Sequence, residues 1–131
     1  SWLTDTRHAM KRGKLAQAKV PKVDELAAPA FALAESGPLT NRSGRRFKPS
    51  AIRNYRIHFD RYLLPEFGGF RVSDLSRKQI QQFSDGLAAG RSPSTVRNIL
   101  MPLRLILRYA TEMEFIVTNP MEHLRLPAKQ E

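Results

Sequence analysis

Residues 92–111 read SPSTVRNILMPLRLILRYAT, and this stretch decides the fold because it carries the marks of one long helix with two chemically different faces. Val96, Ile99, Leu100, Leu103, Ile106, Leu107 and Ala110 recur at three- and four-residue spacing, which gathers them on one side and predicts a helix packed on a core. Arg97, Met101, Arg104 and Arg108 run down a neighbouring face. Ser92 is suited to cap the amino end, and Pro93 fits the first helical position, where its missing N–H costs nothing. The cationic stripe therefore starts at a helix amino terminus whose free N–H groups and dipole attract anions, a surface suited to phosphate. Solvation alone also accounts for arginines on a helix, so the rest of the chain has to separate the two readings. Pro102 is expected to remove one hydrogen bond, to bend the axis and to lie off the apolar face.

Composition narrows the choice. With 131 residues, 41% hydrophobic and 26% charged, the chain can bury one small core and is too short for two large domains. Lys and Arg number 22 against 12 Asp and Glu, a net charge of +10, which favours a polyanionic partner. No apolar run approaches the roughly 20 residues that span a bilayer, and no signal-peptide pattern appears, so a cytoplasmic protein is expected. The absence of cysteine removes disulfides, thiol catalysis and cysteine-based zinc sites. Ser1 in place of a methionine, followed by what reads as mid-helix, predicts a piece of a longer protein.

In chain order, 2–15 predicts a short amphipathic helix, with Trp2, Thr6, Ala9 and Met10 opposite Arg7, Lys11 and Lys14. Over 23–36, Leu26, Ala27, Ala30, Leu33 and Ala34 keep helical spacing, and Pro29 either kinks that helix or starts it. Residues 37–48, GPLTNRSGRRFK, predict a basic loop with Phe47 tucked inward. The next helix, 49–64, has Ile52, Tyr55, Phe59, Tyr62 and Leu63 inward, Arg53, Asn54, Ile57 and Arg61 on the far side, and Pro65 as its stop. Ser76 and Gln79 form a capping box for a third helix with Ile80, Phe83, Leu87 and Ala88 inward and Gly90 at its end. Asn119, Pro120 and Glu122 predict a short last helix. No useful strand alternation appears, so the expected fold is an all-α bundle of four to five helices. Two of those helices open alike, PSAIRN at 49–54 and PSTVRN at 93–98, which sets phosphate-seeking groups at two helix starts.

These motifs together resemble the core-binding, SAM-like domain of tyrosine recombinases, the phage integrase family. The residues that carry the resemblance are KPSAIRNYR at 48–56, LLPEFG at 63–68, DLSRKQIQQF at 74–83, SPSTVRN at 92–98, LRLILRYA at 103–110, and Asn119 with Pro120. The segment 1–15 also looks like the helix that joins an arm-binding domain to this one. The resemblance implies a helical domain, a small orthogonal bundle, forming half of a C-shaped clamp on duplex DNA, with two crossed helices, here 49–64 and 92–111, facing the major groove. It divides the chain into a linker helix and basic connector at 1–22, a core-binding domain at 23–127 and the start of a linker at 128–131. It gives a contact role to Ser50, Arg53, Asn54, Ser94, Thr95, Arg97, Asn98, Arg104 and Arg108, with Arg45, Arg46 and Lys48 on phosphate. Arg97 and Arg104 suit guanine and Asn54 and Asn98 suit adenine, with most contacts still to phosphate.

The resemblance places the family's catalytic tyrosine, arginines, lysine and histidine motif in a domain after residue 127, so no enzyme activity is expected of this chain. Tyr55, Tyr62 and Tyr109 read as core packing. His8, His58 and His123 have no metal-ligand spacing and read as surface histidines, and neither a metal nor a cofactor is expected. By resemblance the parent protein acts as a tetramer on paired sites, whereas this chain alone is expected to be monomeric or weakly associated. Two rival readings are a helical module that binds an acidic protein and, less well supported, a membrane-surface binder through 2–15.

Overall fold

The computed structural model describes residues 20–41, 44–122 and 124–125. The helix expected at 2–15, the linker expected at 128–131, Arg42, His8 and His123 lie outside the described residues. Among the described residues the chain is all-α: α1 (Val23–Ser36), α2 (Pro49–His58), a π-helical turn (Phe59–Leu63), α3 (Leu64–Phe67), a 3-10 turn (Val72–Asp74), α4 (Arg77–Ala88) and α5 (Pro93–Glu112). An isolated antiparallel bridge joins Lys22 to Arg71.

Of the two possibilities at Pro29, the structure has a helix that starts at Val23 and runs through the proline. Its first N–H groups have no partner inside the helix, and the turn after α3 supplies them. Val23 N–H donates to the Phe70 carbonyl at 2.9 Å and Asp24 N–H to that of Gly68 at 3.2 Å. Gly68 has no substitute there, because a Cβ would lie 2.6 Å from the Leu64 carbonyl oxygen. At the other end Gly37, with φ 105°, turns the chain left-handed and donates to Leu33 at 3.0 Å.

Pro65 does not stop the second helix, contrary to the sequence expectation. The bond from Leu64 N–H to the Phe59 carbonyl widens the preceding turn, and Pro65 then falls in the first turn of α3, where no N–H is required. The axis therefore continues from Pro49 to Phe67. In α4 the capping box forms in both directions, Gln79 N–H to Ser76 Oγ at 3.2 Å and Ser76 N–H to Gln79 Oε1 at 3.0 Å. Ala88 is exposed rather than inward, and Ser84 takes the buried position with Ile80 and Leu87. The helix closes at Ala89 in a right-handed conformation, immediately before Gly90.

α5 is the central helix, in contact with α1, α2, α4 and the π-helical turn. Every predicted apolar residue on it is buried, and so are Leu105 and Pro102. The expectation that Pro102 lies off the packed face is therefore corrected. A helix packed by several neighbours buries more of its circumference than one stripe, and a proline ring without an N–H suits a dry position. Fully buried Leu and Ile side chains contribute about 1.5–3 kcal/mol each. The predicted last helix is one turn among the described residues, held by Met121 N–H on Asn119 Oδ1 at 2.9 Å. The chain beyond it is clipped to α4, since the Gln81 amide donates to the Arg125 carbonyl and accepts from its N–H, both at 2.9 Å.

Candidate nucleic-acid interface

Two features fix the relative sense of α2 and α5. Tyr62, beyond the end of α2, has the Arg91 guanidinium 5.4 Å from its ring centroid, just ahead of α5. Tyr55, in the middle of α2, lines a cleft with Arg104 and Arg108, in the second half of α5. The two packed helices therefore run in opposite senses. Ser92 caps α5 through its Oγ, which accepts from Thr95 N–H at 3.2 Å, and Pro93 occupies the first turn, as expected.

On α2, Ser50, Arg53, Asn54 and Ile57 are exposed, with Arg61 following in the π-helical turn. Ile57 is 53% exposed, so an apolar side chain stands in the middle of that polar row. On α5, Ser94, Thr95 and Asn98 are exposed and Arg97, Arg104 and Arg108 are half-buried. Arg45, Arg46 and Lys48 are exposed on the loop before α2.

The arginines divide by what they touch. Arg108 donates to the Thr40 carbonyl and so ties α5 to the loop after α1. Arg46 donates to the Glu35 carbonyl at 2.8 Å, near the carboxyl end of α1. Arg56 donates through Nε and Nη2 to Glu35 Oε1 at 3.1 and 2.7 Å, with its guanidinium 5.3 Å from the Phe31 ring centroid. Phe47 is half-buried and meets Tyr55 edge to face at 5.8 Å, separating two hollows. One, of about 680 Å³, has Met101, Arg104, Leu105 and Arg108 in its wall. The other, of about 660 Å³, has Glu35, Arg46, Arg53 and Arg56. Burial raises the Tyr55 phenol above its ordinary value, and the Arg108 charge opposes that rise.

Residues 39–88 match the family model for the phage integrase N-terminal SAM-like domain. The resemblance to phage integrases is borne out. The matched stretch contains the basic loop, α2, the π-helical turn and α4, and it stops short of α5. The phage integrase SAM-like domain from Moorella thermoacetica, solved by NMR in solution, is similar at 26% identity, with a TM-score of 0.48 over 64% of this chain and 69% of that one. No curated protein matches the chain.

The three tyrosines are half-buried and pack against the core, in agreement with their reading as packing residues. His58 is not the surface histidine expected, because its Nδ1 is buried without a hydrogen-bond partner and its ring lies 6.1 Å from that of Tyr62. Among the described residues no three His, Cys, Asp or Glu gather as metal ligands, and no helix is long and apolar enough to cross a membrane. Sequence reasoning misses Arg91 altogether and marks Arg61 only as outward-facing. The Arg61 guanidinium is also 5.4 Å from the Tyr62 ring centroid, so the two cations share one ring although they are 30 positions apart in the chain. A nearby signal exists in Tyr62, whose polar ring at the end of an apolar stripe is suited to hold a cation.

Proposed function

We propose that this chain grips duplex DNA as the core-binding domain of a tyrosine recombinase, presenting α2 and α5 to the major groove of a recombination site. The observation that carries the reading is the pair of antiparallel helices whose outward rows are polar and cationic while their inward rows form the core. A net charge of +10 supports a polyanionic partner, and the match of 39–88 to an integrase domain supports DNA as that partner. Arg97 and Arg104 are the candidates for guanine edges and Asn54 and Asn98 for adenine, Arg45, Arg46 and Lys48 for phosphate, with Ser50, Arg53, Ser94 and Thr95 on the same contact surface. Arg108 and Arg46 keep their places on that surface but act first as ties to the Thr40 and Glu35 carbonyls. The core-binding domain is taken as 23–127, after a linker helix and connector at 1–22, with 128–131 leading to a catalytic domain. In the parent protein that domain would cut and rejoin DNA through a phosphotyrosine, in tetramers on paired sites and in the cytoplasm.

The test is binding to a duplex selected from a random pool, at two salt concentrations. With about five to eight phosphate contacts, affinity is expected to fall steeply with salt. Arg104→Ala is expected to cost about 1–3 kcal/mol and to relax preference at one base pair. Unchanged binding in Arg53→Ala, Arg97→Ala and Arg104→Ala together would reject this surface, and tight binding to an acidic protein instead would support the module reading.

A further inference from the structure

The corner where the π-helical turn meets the start of α5 holds two cations on one aromatic ring. Arg61 comes from that turn and Arg91 from the loop ahead of α5, and each guanidinium carbon lies 5.4 Å from the ring centroid of Tyr62. The two charges therefore cannot be further apart than twice that distance. Both side chains are exposed, and no carboxylate pairs with either among the described residues. Asp60, although adjacent to Arg61 in sequence, makes no ion pair with it. Arg91 makes one long bond, at 3.4 Å, to the Leu87 carbonyl. Two like charges on one aromatic ring, with no carboxylate paired to either among the described residues, offer donors to an anion that the molecule does not supply.

We infer that Arg61 and Arg91, braced on the ring of Tyr62, seat the backbone phosphate of one DNA strand where the two helices converge. The inference rests on the DNA reading above and adds a contact to it. An aromatic face limits the freedom of both guanidiniums, so less ordering remains when the phosphate arrives. Guanidinium also offers paired donors to phosphate oxygens, which a solvated lysine does not. Position in the chain adds support: Arg61 follows the exposed row of α2, and Arg91 comes just before the exposed Ser94 and Thr95 of α5.

The experiment measures the affinity of the whole chain for a random-sequence duplex as a function of chloride concentration. Each backbone phosphate that the protein no longer neutralises is expected to make the slope of log K against log salt shallower by about 0.9. Arg61→Ala and Arg91→Ala are expected to show that change. Arg77→Ala, which removes the same charge from the exposed first turn of α4, is expected to leave the slope unaltered. Tyr62→Phe keeps the ring and is expected to match the parent, whereas Tyr62→Leu is expected to match the arginine variants, with circular dichroism melts showing that each is folded. Equal change in all three arginine variants, or none in Arg61→Ala and Arg91→Ala, overturns the seat. If Arg53→Ala and Arg104→Ala weaken binding while these two do not, the DNA reading stands and only the seat fails. If the unaltered chain binds no duplex, both fail. Replacing chloride by phosphate at equal ionic strength separates the sources. A drop in duplex affinity that vanishes in Arg61→Ala and Arg91→Ala is expected of a seat that holds the backbone. Phosphate binding that needs both arginines and leaves duplex affinity unchanged would mark a free-phosphate site and contradict the backbone assignment.

Discussion

The hollow beside Phe47 and the corner at Tyr62 are both built from arginine and an aromatic ring, yet the arginines behave differently. Around Phe47, Arg108 and Arg46 hold backbone carbonyls and Arg56 holds the Glu35 carboxylate. At Tyr62, Arg61 and Arg91 rest on the ring and meet no acid among the described residues. A count of positive charge treats these side chains as equal. Their partners divide them into cations that close the fold and cations left for a ligand.

Stability measurements can break that division. The largest effect is expected at Arg108: Arg108→Ala removes a charged donor from the Thr40 carbonyl, which costs about 1.5–3 kcal/mol in urea unfolding. Next comes Gly37→Ala, expected to cost about 1–2 kcal/mol because Gly37 sits at φ 105°. An added Cβ would also lie 3.1 Å from Arg46 Nε, so the variant disturbs the tie to Glu35 as well. Arg61→Ala and Arg91→Ala are expected within about 0.5 kcal/mol of the parent, as for surface substitutions. Destabilisation at Arg61 or Arg91 as large as at Arg108 would erase the distinction between the two regions.

The smallest effect sharpens the comparison through pH. Burial, with the Arg61 charge second, holds His58 below its ordinary value of 6.5. The unfolded chain then takes up a proton that the folded chain refuses. Stability is therefore full above 6.5 and declines as pH falls from there toward the lowered value. His58→Gln is expected to flatten that decline in thermal melts, and Arg61→Ala to soften it partly. An unchanged decline in both would mean that another group governs it.

Much of this fold is legible locally, because a cap is a matter of a few adjacent residues. Ser76 with Gln79, Ser92 with Thr95 and the apolar period of α5 are settled within one or two turns. Misreadings arise where a distant neighbour or an unusual turn intervenes. Pro65 reads as a stop because a π-helical turn is not visible in residue type, and Pro102 reads as peripheral because one stripe is assigned to a helix packed by several neighbours. Ala88 carries apolar character without being buried. Among candidate site residues, the exposed row on α2 is legible from helical spacing. The tie from Arg108 to Thr40 and the meeting of Arg61 with Arg91 are not, since each joins parts of the chain far apart in sequence.

The most direct test of DNA binding through α2 and α5 is to map backbone amide shifts by NMR while titrating a selected duplex into the chain. Perturbations are expected along Arg53, Asn54 and Ile57 of α2 and Ser94, Arg97 and Asn98 of α5, meeting at Arg61 and Arg91. Shifts gathered instead around Phe70, Gln79 and Phe83, on the α3 and α4 side, would contradict that surface.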